Sequence, residues 1–205
     1  MTNLSGFTHD QYEEGLSKFE AAQSLVLSRE DLPEAARMAG SFALIASEVG
    51  NTSLAESAHR TAIHAYALDH DATVFEQEDE LAACVAPVVL NEYARLAETL
   101  AASSRTFASH RRLSRLRREV LSLGPVDAQS AVTGMFAAQA VERGLATHSY
   151  INARRHIAKA DRLNYLCQAA TTQNGLGLLA ITGGNVRSRT IAKWIKDTHT
   201  SALLP

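Results

Sequence analysis

The chain has little proline and little glycine, 4 and 11 residues in 205. Few positions therefore interrupt a helix or demand a turn. Abundant alanine, which loses no side-chain entropy on entering a helix, favours the same state. Strict apolar–polar alternation, the mark of half-buried strands, is nearly absent. No apolar run approaches the roughly 20 residues that span a bilayer, so no membrane partner is expected. The N-terminal stretch MTNLSGFTHDQYEEG lacks the basic start and apolar core of a secretory leader. The two cysteines, Cys84 and Cys167, stand far apart in apolar helical surroundings and read as buried free thiols of a reducing compartment. The formal glycosylation sequon Asn51-Thr52-Ser53 carries no meaning without secretion.

What is present reads as helix after helix, and the length suits one large domain or two small lobes. A first helix is expected from about His9 to Ser28. Asp31 caps a second, with Pro33 near its first turn, which stops near Gly50. Thr52 or Ser53 starts a third, through Leu68. Pro87 starts or kinks a helical region ending near Ala102. A helix from Ser104 to Leu123 breaks at Gly124-Pro125. The next runs from Asp127 to Gly144, and a long one from Ser149 to about Gln173. The expected fold is all-α: a compact helical core, residues 31–182, with extended N-terminal (1–30) and C-terminal (183–205) segments. Gly50, Ala55 and Ala62 fit the small-residue spacing of a tetratricopeptide hairpin, but no second copy recurs at that period.

No catalytic constellation stands out. His59 and His64 miss the i, i+4 spacing of a shared metal, and His148 and His156 are farther apart still. Each reads as a surface or satisfied core histidine. The acidic run Asp69, Asp71, Glu76, Glu78, Asp79, Glu80 lacks the ligand spacing and central glycine of a calcium loop. Gly175, Gly177, Gly183 and Gly184 lack the strand-before, helix-after setting of a phosphate loop, and no serine sits in a nucleophile elbow. Trp194 reads as a core anchor. A protein without enzymatic activity, metal or cofactor is expected.

Charge is segregated along the chain. Residues 1–100 hold 17 acidic and 5 basic residues, a net −12; residues 101–205 hold 5 acidic and 15 basic, a net +10. Such a split sets up a field that attracts partners of opposite sign: a polyanion, the acidic half of a neighbouring copy, or that of the same chain. Two helices organise the cations. In Ser104–Leu123, Leu113, Leu116, Val120 and Leu123 line one face, while Arg111, Arg115 and Arg118 lie opposite at i, i+4, i+7, with Arg112 beside them. In the helix after Ser149, Tyr150, Ala153, Ile157 and Ala160 form the expected apolar side. Arg155, Lys159 and Arg162 lie opposite, with Arg154 adjoining. Arg187, Arg189, Lys193 and Lys196 add a third cluster. Most of these cations are arginines, whose planar forks suit phosphate oxygens. Repeated stripes with few interspersed acids fit phosphate binding; docking on an acidic protein surface, as a helical adaptor would do, is the alternative.

Three segments carry a resemblance. Ile157–Gly175 (IAKADRLNYLCQAATTQNG), followed by Ile181-Thr182-Gly183-Gly184 and the end Leu203-Leu204-Pro205, looks like the late helix and tail of coat proteins (nucleocapsid subunits) from flexible filamentous plant viruses, especially the potexvirus-like group. Leu90–Phe107 (LNEYARLAETLAASSRTF) is similar to that family's segment in which an arginine and an aromatic follow a Ser/Thr pair. Thr61–Phe75 (TAIHAYALDHDATVF) resembles its helix, loop and Ser/Thr. The segments follow the family's order over roughly residues 55–190.

The resemblance implies an all-helical subunit that polymerises along single-stranded RNA, found in the virion and, before assembly, in the host cytoplasm. It implies a C-terminal tail toward the filament axis and an N-terminal arm that joins subunits. Residues 1–30 would be that arm, with Phe7, Tyr12, Leu16, Phe19 and Leu25 as an apolar ridge. It further implies an RNA groove in which Thr73 and Arg105 take the family's Ser/Thr and Arg positions. The family's groove Asp has no counterpart: Phe136-Ala137-Ala138-Gln139 stands where its aromatic-Asp-aromatic motif would be. The candidate RNA-binding residues are thus Thr73, Arg105, Arg111, Arg112, Arg115, Arg118, Arg154, Arg155, Lys159 and Arg162.

Overall fold

A computed structural model describes residues 6–69, 84–85, 87–125 and 128–170. Thr73, the acidic run beyond Asp69, the cluster from Arg187 to Lys196, Trp194 and the tail at 183–205 lie outside the described residues. Among those described the fold is all-helical but for one short pairing. The helices are α1 (His9–Ser28), α2 (Leu32–Glu48), α3 (Thr52–Asp69), α4 (Pro87–Ala102), α5 (Phe107–Ser122), α6 (Ala128–His148) and α7 (Ala153–Ala170). Two-residue strands, β1 (Cys84–Val85) and β2 (Gly124–Pro125), pair in parallel at the break expected after α5.

Local chemistry fixes most boundaries. Thr8 and Gln11 form a reciprocal capping box at the start of α1. The Asp31 carboxylate accepts from the Glu34 N–H, with proline in the first turn of α2. Gly50 adopts φ +77° just past α2, a conformation that a β-carbon disfavours. Thr106 caps α5 through the Ser109 N–H. One expected stop fails: α6 runs through Gly144 to His148. A β-carbon on Gly144 would lie 2.9 Å from Leu113 Cδ2 and 3.1 Å from Ala101 Cβ. This glycine serves the close approach of α4, α5 and α6 rather than a helix end.

Among the described residues two apolar clusters form the interior. In the first, alanines of α2 and α3 (Ala35, Ala39, Ala43, Ala46, Ala55, Ala58 and Ala62 among them) let the two helices pack closely. α1 closes this cluster with buried Phe19 and Ala22; Phe19 stacks on Phe42 with ring centroids 5.3 Å apart. Residues 9–28 are therefore packed on their own chain, where the sequence suggested an extended segment separate from the core. Their apolar ridge covers the alanine-rich α2. The second cluster joins α4 to α7 around Leu90, Leu96, Leu100, Leu113, Leu116, Met135, Val141 and Leu145, with α6 touching α4, α5 and α7. Cys167 is a free thiol in this interior, its pKa pushed up to about 12 chiefly by burial.

A buried polar link connects the clusters. His59 of α3 is fully buried; its Nδ1 lies 2.5 Å from Glu92 Oε1 and its Nε2 3.1 Å from the Thr99 hydroxyl, both on α4. Of the two readings the sequence left open, surface or satisfied core, it is the satisfied core histidine. Nearby, Arg60 donates to Glu56 and to Glu119 of α5, each at 3.1 Å. Desolvation would lower the Arg60 pKa, but the two carboxylates outweigh it and raise it.

Candidate nucleic-acid interface

Both basic helices pack against α6. On α5, Leu113, Leu116 and Val120 are buried and Arg111, Arg115 and Arg118 are exposed on the opposite side, as the i, i+4, i+7 pattern requires. Arg112 does not belong to that stripe. It is half-buried on the flank facing α3, with Nε 3.5 Å from Glu56. Arg115 is exposed but held by Glu119 at 2.9 Å one turn on.

On α7 the expected apolar side is rotated. Ile157 is 50% exposed and Tyr150 is 75% exposed, while the buried side consists of Ala160, Leu163, Leu166 and Cys167. The reason lies in His156. It takes the core-facing place in the first half of the helix, and its polarity is satisfied by Glu142 of α6, with Nδ1 2.5 Å from Oε2. Arg154, Arg155 and Arg162 are exposed. Lys159 is only about one-third exposed and turns inward to Glu142 at 3.6 Å. Burial lowers its pKa, the Glu142 charge opposes that, and Arg117 and Arg155 reinforce it.

Glu142 is the hinge of this arrangement. Glu142, a 4% exposed residue, also forms an ion pair with Arg117 of α5, Oε1 to Nε 2.8 Å, though the geometry leaves that buried Nε without a hydrogen bond. One buried anion thus gathers cations from α5 and α7. Among the described residues, Arg111, Arg118, Arg154, Arg155 and Arg162 have no acidic partner. Sequence reading missed Glu142. The available signal was its isolation as an acid within a strongly basic stretch.

Arg105 belongs to neither stripe. It lies in the loop between α4 and α5, where Nη2 donates to the Ser149 carbonyl at 3.0 Å and the guanidinium sits 4.4 Å from the Tyr150 ring centroid. The Ser149 hydroxyl in turn accepts from the Asn152 N–H at the entry to α7. Phe136 and Gln139 line a groove of about 440 Å³ with Glu98 and Arg143; Gln139 is buried and its Nε2 lacks a partner. Thr73 is outside the described residues, so the groove Thr–Arg pairing that the resemblance implies has no geometry. Among the described residues no three His, Cys, Asp or Glu side chains converge to hold a metal, and no helix is long and apolar enough to cross a membrane.

Comparison with protein-family models, with curated proteins and with solved structures returns no match.

Proposed function

We propose that this chain is a non-enzymatic coat subunit that polymerises helically around single-stranded RNA, neutralising phosphates through the exposed arginines of α5 and α7. The observation that carries the reading is the junction at Glu142. It pairs with the inner cations Arg117 and Lys159 and joins the two basic helices, while Arg111, Arg118, Arg154, Arg155 and Arg162 face outward without an ion pair among the described residues, with the exposed Asp161 of α7 among them. Such a surface binds a polyanion by its phosphates and reads no bases. The α1 end supports the second half of the reading: it displays Asp10, Glu13 and Glu20 in exposed positions. Unlike faces on one subunit favour head-to-tail contact, and a heterologous contact that does not close gives a filament.

The test is binding of labelled single-stranded RNA as a function of salt. Affinity should tolerate sequence changes and fall with a log–log slope near 0.7 per neutralised phosphate. Replacing Arg111, Arg115 and Arg118 together with Ala should flatten the slope by about two, since three phosphate contacts are at stake. Purified material should carry nucleic acid by its ultraviolet absorbance. Protein that purifies without nucleic acid and binds RNA with no salt dependence refutes the reading.

A further inference from the structure

Both basic helices begin at the same end of the molecule. Arg105, from residues 103–106, reaches the carbonyl of Ser149 in residues 149–152, so the loops that precede α5 and α7 are joined there. Helix N-termini carry partial positive charge, and this end also displays exposed Arg111 and Arg154 near the starts of their helices. Among these cations stand three large apolar side chains turned to solvent: Phe107, Tyr150 and Ile151, exposed by 77%, 75% and 92%. Apolar surface of that exposure within a cationic field needs a reason.

Tyr150 supplies one. The Arg105 guanidinium lies against its ring, 4.4 Å from the centroid, and is itself fixed by the Ser149 carbonyl. The ring is thereby held in place from one side while most of its surface stays open. A flat, immobilised aromatic beside phosphate-attracting charges is what a base of a single strand stacks on, because every base has a π-face and the charges hold the adjoining phosphates.

We propose that Tyr150, backed by Arg105, is a stacking platform for a nucleobase of single-stranded RNA. The inference rests on the RNA-binding reading above and adds to it a contact with the base itself, where the arginine stripes contact phosphate alone. It does not require base identity to be read, since stacking is sequence-tolerant.

The test compares two probes on the full chain: a short single-stranded RNA, and an abasic oligomer of equal length and phosphate count. Wild type should bind the RNA roughly tenfold more tightly than the abasic strand, within the range expected for one stacked base. Tyr150→Ala should bring RNA affinity down to the abasic level while leaving abasic affinity unchanged, and Tyr150→Phe should retain the preference. Unchanged abasic binding by Tyr150→Ala also reports that the fold and stripes are intact. In a Trp194→Phe background, Tyr150→Trp should show indole quenching by RNA and none by the abasic strand. Equal wild-type affinity for both probes would overturn the platform and leave phosphate binding standing. Binding of neither probe would overturn both readings. If Tyr150→Ala instead binds RNA like wild type but loses self-association in sedimentation, the patch is a contact between copies and the platform is refuted.

Discussion

Glu142→Gln is the sharpest test of how the basic helices are held. The substitution keeps the side chain's shape and removes its charge. Glu142 is 4% exposed and contacts Arg117 at 2.8 Å, His156 at 2.5 Å and Lys159 at 3.6 Å. Removing one partner of a buried ion pair costs about 3–5 kcal/mol, because the remaining charge stays desolvated. Here Arg117 and Lys159 side chains are 36% and 34% exposed and can turn to water, whereas His156, at 12%, cannot do so readily. The expected loss is therefore smaller, about 2–3 kcal/mol. With a urea m-value of about 2–3 kcal/mol/M, the unfolding midpoint should fall by about 1 M. A rival cause is general: deleting an acid from a net-positive region increases repulsion among its exposed cations. Salt separates the two. At about 1 M salt the screening length is near 3 Å and repulsion between exposed charges is largely gone, while a desolvated contact is screened much less. The midpoint difference should persist in salt. An unaltered midpoint, or a difference that disappears at high salt, would refute the role assigned to Glu142.

Gly144→Ala should destabilise by about 1–2 kcal/mol despite the better helix propensity of alanine, because the new methyl meets Ala101 Cβ at 3.1 Å as well as Leu113; a raised thermal midpoint would contradict the close approach. Phe19→Ala should cost about 3–4 kcal/mol, since the ring is 3% exposed and stacked on Phe42. If α1 served only to contact another subunit, the monomer's denaturation midpoint would not move. Tyr93 governs an alkaline effect: its pKa is pushed up to about 12, chiefly by burial, with Glu119 adding and Arg60 opposing. An unfolded tyrosine ionises near 10, so the folded state keeps its proton longer. That contribution is complete below about pH 10 and is lost as pH rises toward 12. Tyr93→Phe should flatten this limb of the stability–pH curve, and superimposable limbs would refute the assignment.

The parts of the fold legible in the sequence are those that local chemistry decides. Asp31, Gly50 and Pro87 mark helix ends through a side-chain acceptor, a positive φ and a missing N–H, and none of these needs a partner from elsewhere. Gly144 looks the same locally but answers to Leu113 and Ala101, residues 31 and 43 positions away, so its helix continues. The same distinction separates the two basic helices. The buried side of α5 is regular, Leu113, Leu116 and Val120, and its exposed stripe follows from spacing alone. The buried side of α7 includes His156, which enters the interior only because Glu142 comes from α6 to meet it. A pattern read by hydropathy therefore turns that helix toward Ile157. Charge counts mislead in a related way. Arg112 and Lys159 add to the basic total, yet Glu56 and Glu142 hold them on inward flanks. Glu142 consequently does not dilute the outer surface of the basic half, whereas Glu119 also pairs with the exposed Arg115 and Asp161 stands exposed on α7. Glu119 and Glu142 pair with cations within and between helices, at Arg60, Arg115, Arg117 and Lys159, and Arg111, Arg118, Arg155 and Arg162 face outward without an ion pair among the described residues. A stretch with few acids can thus keep its outer cations where an acid sits between helices, as Glu142 does, and loses some of that charge where one is exposed, as at Asp161.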